Sequence, residues 1–131
     1  MSGGAEKYVA AYVDNGDSYL TTNGQSIINA DIKYKDVYSK GSSDSQANNY
    51  EANKNKYGDA VYETSSTYDS SNSWYNDESE MPYSSHPWFR RGGYYGNGTY
   101  AGAFNFTVSD GNAYSYGSFR PVVAPLAPPA P

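Results

Sequence analysis

Apolar positions in this chain come in short, isolated clusters and never in a long amphipathic run. The first is Tyr8-Val9-Ala10-Ala11-Tyr12-Val13. It reads as a strand or as a buried turn of helix, because a short unbroken apolar run has no period to decide between them. Asp14-Asn15-Gly16-Asp17 and Thr22-Asn23-Gly24 read as turns, the second followed by the aliphatic pair Ile27-Ile28. Tyr34, Val37 and Tyr38 have the spacing of one helical turn or of an ordered loop. Residues 48–58 carry a helix signature: Asn48 or Asn49 can cap, Tyr50 and Tyr57 share a face, and Gly58 suits the position after the last turn. Residues 59–64 read as a short strand, and the polar stretches 41–47 and 65–73 as loops. Trp74-Tyr75-Asn76-Asp77-Glu78-Ser79-Glu80 mixes ring-bearing anchors with acids, and Pro82 and Pro87 interrupt any regular element. Toward the end, strand-like residues 103–108 and 119–123 alternate with glycine turns.

The pattern predicts an α+β domain over residues 1–124, with one clear helix, many short strands and long loops. Residues 125–131 form a Pro-rich tail of polyproline character.

Composition changes this picture in one respect. Mean hydropathy is −0.82 and hydrophobic residues make up 37%, values that by themselves open the possibility of disorder. However, aromatics make up 17%, with 16 tyrosines among them, and disordered chains are poor in rings. Tyrosine buries its ring while its hydroxyl finds a partner or stays wet, so a core built on tyrosine is feasible. A net charge of −5 argues against nucleic-acid binding. The lack of cysteine removes disulfides, thiolate nucleophiles and thiolate metal sites. No apolar run reaches the ~18 residues of a membrane span.

The candidate chemistry is thin. The single histidine, His86, reads as a surface loop residue, and Asp77, Glu78 and Glu80 as a solvated acidic loop. Asp14-Asn15-Gly16-Asp17-Ser18 lacks the ligand spacing of a calcium loop. Glu63 reads as an acid that organises loops by accepting backbone N–H groups. No cofactor or metal is expected. The informative stretch is 94–118, rich in Tyr, Gly, Asn, Ser, Thr and Ala, the vocabulary of antibody-like paratopes. Candidate ligand-binding residues are Tyr94, Tyr95, Asn97, Tyr100, Asn105, Asn112, Tyr114 and Tyr116, with Tyr94 and Tyr100 equally readable as loop-packing residues. Phe104 and Phe106, two apart, are expected to face the core.

Several segments resemble formylglycine-generating-enzyme-like (sulfatase-modifying-factor) domains, in that family's order. They are Met1-Ser2-Gly3-Gly4-Ala5 with Tyr8-Val9, then Gly58-Asp59-Ala60-Val61-Tyr62-Glu63-Thr64, Ser73-Trp74-Tyr75, Pro87-Trp88-Phe89-Arg90-Arg91-Gly92-Gly93 and Ser118-Phe119-Arg120-Pro121-Val122-Val123. The resemblance implies a C-type-lectin-like fold, with a small central antiparallel sheet, a flanking helix and long ordered loops, with Arg91 pairing an acid beneath the loops and with 88–93 and 119–121 as a fixed frame. It departs from the family where Glu6-Lys7 stands in place of Trp-Glu. It also implies that the family's N-terminal part is missing, so the chain is expected to be a fragment or to be complemented by another chain. The family's enzyme oxidises a cysteine with paired cysteines of its own, and this chain has none. The frame is similar, too, to variable proteins of diversity-generating retroelements. The expectation is a non-enzymatic ligand-binding or display domain of a bacterial surface or phage protein. Its partner would be an unidentified protein or glycan, with no nucleic acid and no membrane insertion by this segment. The alternative is a self-assembling subunit of an extracellular fibre or pilin-like filament.

Overall fold

A computed structural model describes residues 4–70 and 73–120. The Pro-rich tail, Met1 to Gly3 and Pro121 to Val123 lie outside the described residues. Over the described residues the chain is a mixed α/β protein with few helices, built on one curled seven-stranded sheet that is not the antiparallel one expected, since half of its pairings are parallel. Strand β1 (Glu6–Asp14) is its spine. It runs antiparallel to β5 (Trp88–Arg91) along one edge. Along the other it pairs in parallel first with β7 (Gly117–Ser118) and then with β2 (Asp36–Ser39). Beyond β5 the sheet continues through β6 (Phe106–Ser109), β4 (Ser79–Glu80) and β3 (Asp69–Ser70). The β1–β5 register shifts between Tyr8 and Tyr12, an irregularity of the kind that bends a strand.

The apolar run at 8–13 is a strand buried on both faces, which is why it shows no alternation. Val9, Ala11 and Val13 face a core with Tyr38, Tyr50, Val61, Met81, Phe89 and Phe106. Tyr12 points the other way, onto Leu20, Trp88, Ile27, Ile28 and Val37. Rings dominate both clusters, and Tyr38–Phe89 and Tyr12–Trp88 lie 5.0 and 5.2 Å apart.

Local expectations fare unevenly, each for a physical reason. The expected turn at Thr22-Asn23-Gly24 falls within helix α1 (Ser18–Ile28), capped by the Asp17 side chain, and shows as a kink where Gly24 leaves helical geometry at φ −155, ψ 24. Gly24 serves packing there, since a Cβ would stand 2.1 Å from the Trp88 ring. Helix α2 is Gln46–Ala52, capped by Ser45, so it starts and ends earlier than 48–58. It stops where the Asn53 side chain turns to β2, accepting from Ser39 N at 2.8 Å and donating to Ser39 O at 2.7 Å, as a neighbouring strand would. Residues 59–64 form turns and not a strand, with Ala60 in the left-handed region at φ 57. Residues 32–34 make a short 3₁₀ turn leading into β2, and the last strand among the described residues is Gly117–Ser118, while Phe119 and Arg120 are exposed.

The acids are not a solvated loop. Asp77 is buried and accepts from Phe104 N at 2.9 Å, and Glu78 and Glu80 are only partly exposed. Burial raises the titration range of both glutamates, and for Glu78 the charges of Glu80 and Glu6 add to it. Glu63 is exposed yet does accept the Gly58 N–H. His86 is exposed, in a hairpin with Tyr83.

A second polar cluster links β2 to the turn at 59. The Tyr38 hydroxyl donates to Asp59, and Arg91 donates to the Asp59 carbonyl. Asp36 titrates above its ordinary range because of its partial burial, its hydrogen bond to Asp59 and the Asp59 charge, opposed by Lys56 at 3.7 Å. A raised folded-state value means that Asp36 supports the fold fully at low pH and loses that contribution as pH rises through the raised value. Asp36→Asn is therefore expected to stabilise the protein at pH 7, by less than about 1 kcal/mol because much of the side chain is in water. The gain should vanish near pH 3 in urea melts, and a loss of stability at pH 7 would contradict this account.

Candidate functional site

The site is built outward from Arg90. Its guanidinium pairs with the carboxylate of Glu6, which is 2% exposed, and donates to Val108 O at 3.1 and 2.7 Å. Arg90, and not Arg91, is thus the residue that pairs an acid beneath the loops. Arg91 is used on the Asp59 carbonyl and over the Phe106 ring. Glu6 titrates above its ordinary range because burial outweighs the attraction of Arg90.

Above Arg90 lie tyrosine rings. The guanidinium sits 5.8 and 5.7 Å from the Tyr114 and Tyr116 centroids. Tyr114 stacks on Tyr116 at 5.3 Å, Tyr116 on Tyr94 at 4.6 Å, and Tyr94 meets Tyr95 edge-on at 5.5 Å. The result is a continuous ladder, 114–116–94–95, assembled from separate segments. Backbone bonds hold those segments to the start of β1: Glu6 N donates to Tyr116 O at 2.8 Å, and Tyr95 N to Gly4 O at 3.0 Å. The Arg-Gly-Gly sequence makes the approach possible. Gly92 and Gly93 take φ of 89 and 68, and a Cβ on Gly93 would lie 2.9 Å from Ala101.

Beside Tyr114 opens a cleft of about 360 Å³ lined by Tyr8, Asn112, Ala113, Tyr114, Ser118 and Phe119, together with Gly111 and Gly117. Asp110 fixes its rim. It accepts from Asn112 N at 2.9 Å and from the Tyr114 hydroxyl at 3.0 Å. Partial burial would raise the Asp110 carboxylate, but the bonds from Asn112 and Tyr114 prevail and hold it below the usual range.

The structure therefore brings Tyr94, Tyr95, Tyr114, Tyr116 and Asn112 together. It leaves three expected residues apart. Asn105 is fully buried, with its amide donating to Tyr100 O at 3.1 Å, so it belongs to the interior. Asn97 is a staple: its side chain accepts from Tyr94 N at 2.8 Å and donates to Glu78 at 2.9 Å. Tyr100 is exposed, but among the described residues its ring touches none of the ladder. Two contributors were missed. Tyr8, whose hydroxyl donates to Asn112 O at 2.6 Å, carries no signal apart from the apolar run at 8–13; its place in β1 puts it on the face opposite Val9. Arg90 had no separate signal beside Arg91.

Phe104 also departs from expectation. Phe106 is in the core, but Phe104 lies before β6 begins and packs outward on Trp74 and Tyr75. Those two residues, expected as anchors, are exposed.

Rings, amide groups and a small cleft equip this face to hold a partner by contact and hydrogen bonding. Among the described residues no group of three or more acids and histidines is placed to hold a metal ion, and no helix is long and apolar enough to cross a membrane. Fold and site together define a mixed α/β protein with an exposed aromatic face. No family model, curated protein or solved structure matches the chain.

Proposed function

We propose that this is a non-enzymatic ligand-binding domain of C-type-lectin-like fold, acting at a bacterial surface or on a phage particle. Its partner, a protein or a glycan, is held on the tyrosine ladder and the adjoining cleft. The observation that carries the reading is the ladder itself. Three rings are stacked, a fourth meets them edge-on, and their segments are bonded to the start of β1, yet Tyr95 remains 77% exposed. Rigid tyrosines give large amphipathic contact area at low entropic cost. The fold assignment draws support from the order of the frame segments, with β1 near the start, Arg-Gly-Gly leaving β5, and the closing strand β7 returning to β1.

The test is a protein and glycan array probed with the labelled chain, followed by titration of the captured molecule. Tyr95→Ala combined with Tyr114→Ala is expected to weaken binding at least tenfold. Thermal stability should stay within about 1 kcal/mol, as for surface substitutions. A double variant that binds as the parent does, or a chain that instead forms concentration-dependent filaments in light scattering, would remove the proposal.

A further inference from the structure

Away from the ladder, the segment after β3 builds a second aromatic surface. Trp74 is 56% exposed and Tyr75 84%, two large rings side by side in water. Neither is loosely held. Trp74 N donates to Thr64 O at 2.8 Å, and the backbone closes on itself through Ser73 N to Asp77 O at 3.1 Å. Phe104 lies against both rings, edge-on to Trp74 at 5.3 Å and stacked on Tyr75 at 6.0 Å. The buried Asp77 carboxylate pins Phe104 through its backbone N–H at 2.9 Å. Tyr75 and Asn76 both sit in the left-handed region at φ 64. The fold thus holds a Trp-Tyr pair in water in a conformation that side-chain-bearing residues adopt at a cost.

Trp74 is also one wall of a groove of about 370 Å³, lined otherwise by Tyr62, Glu63, Thr64, Ser65 and Ser66. That size is within the roughly 300–1,000 Å³ of small-molecule sites. Tyr62 is fixed by its hydroxyl bond to Tyr50 O at 2.9 Å. Next to Trp74, Ser73 is 5% exposed and its hydroxyl has no hydrogen-bond partner among the described residues. The lining therefore combines aromatic rings with hydroxyls and one carboxylate, and it contains no lysine or arginine.

We propose that Trp74, Tyr75 and this groove form a second binding site, for an uncharged glycan. A pyranose ring carries a C–H face that packs on the electron-rich face of an aromatic ring. Around its rim are hydroxyls that need both donors and acceptors, which the Glu63 carboxylate, the Ser66 hydroxyl and the backbone of 62–66 supply. A carboxylate in a lining without lysine or arginine disfavours sialylated or sulfated sugars, as does the net charge of −5. A proline-rich peptide also packs on rings, but it would meet a lining more polar than its own surface. The inference is independent of the ladder, since no ladder ring contacts Trp74, Tyr75 or Phe104 among the described residues.

The experiment uses the full chain on an array of neutral, sialylated and sulfated glycans, with a set of proline-rich peptides alongside. Neutral oligosaccharides captured there are then titrated in solution by tryptophan fluorescence. Trp74 is the solvent-facing reporter, since the other tryptophan, Trp88, is 4% exposed. Binding of neutral glycans with a shift in emission is expected. Trp74→Ala and Tyr75→Ala should each weaken it at least tenfold, Trp74→Phe should retain most of it, and Tyr95→Ala should leave it unchanged. Should Trp74→Ala fail to fold, Tyr75→Ala, at the more exposed position, keeps the question answerable. Capture of no neutral glycan, preference for acidic glycans or peptides, or affinity indifferent to Tyr75→Ala would overturn the proposal. Loss of affinity in Tyr95→Ala alone would assign the glycan to the ladder and equally overturn it.

Discussion

Arg90→Met is expected to destabilise the protein by about 3–5 kcal/mol at neutral pH, the usual cost of removing one partner of a buried ion pair. Arg90 and Glu6 have side chains only 13% and 3% exposed, so water cannot compensate either one. The loss reaches further than a pair, because the charge of Arg90 acts on Glu6, Glu78 and Glu80 together and lowers the titration range of each. Without it, all three carboxyls are pushed further up by burial. A carboxyl whose folded-state value is raised supports the fold at low pH and loses that support as pH rises through the raised value. The penalty in Arg90→Met should therefore be largest near pH 7 and shrink as the pH falls toward 4. Adding Glu6→Gln to Arg90→Met should return much of the stability at pH 7, since no buried charge is then left without its partner. Urea melts across that pH range test both statements. A penalty independent of pH would mean that Arg90 works through packing on Tyr114 and Tyr116 and not through charge. Against a total stability of about 5–15 kcal/mol for a domain, the single variant should be marginal.

This dependence explains what was legible in the sequence and what was not. Turn-rich organisation and the use of tyrosine in the core, at Tyr12, Tyr38 and Tyr50, could be read, because composition and glycine spacing report them locally. Partnerships could not. Glu6 and Arg90 are far apart in sequence, and nothing local marks Arg90 over Arg91 as the one facing inward. Asn97 and Asn105 share the composition of the display segment but are consumed by Tyr94, Glu78 and Tyr100. Trp74 and Tyr75 erred in the opposite direction. Large rings are normally assigned inward, yet this pair is exposed, on a segment whose residues 75 and 76 take left-handed backbone. Where a small core is built from tyrosine and asparagine, hydropathy stops separating inside from outside, and hydrogen-bond partners take over that role.

Asn49 shows this most sharply. The sequence offers Asn48 and Asn49 as equivalent caps, yet Ser45 caps the helix and the two asparagines have opposite fates. Asn48 is half-buried, and its side chain bonds to Ser42, Ser43 and Ser45 within the same loop. Asn49 is 0% exposed. Its carbonyl accepts from Gly41 N at 2.8 Å, and its amide donates to Asp44 at 2.8 Å and to Pro82 O at 2.9 Å. Asp44 in turn accepts from Asn15, which also donates to Ser84 O, so one amide ties α2 to the turn after β1 and to the segment before β5. Asn49→Leu keeps the volume and removes every one of these bonds, leaving the Gly41 N–H and the Pro82 carbonyl without their partner. At about 1–3 kcal/mol for each buried group so stranded, a loss of roughly 3 kcal/mol or more is expected. Asn48→Ala should cost about 1 kcal/mol or less. Asn49→Asp separates shape from hydrogen bonding. It can still accept from Gly41 but sets a carboxylate against Asp44 and the Pro82 carbonyl, so it should be destabilised at pH 7 and recover on acidification. Equal losses in Asn48→Ala and Asn49→Leu would show that the buried amide is not what joins these segments.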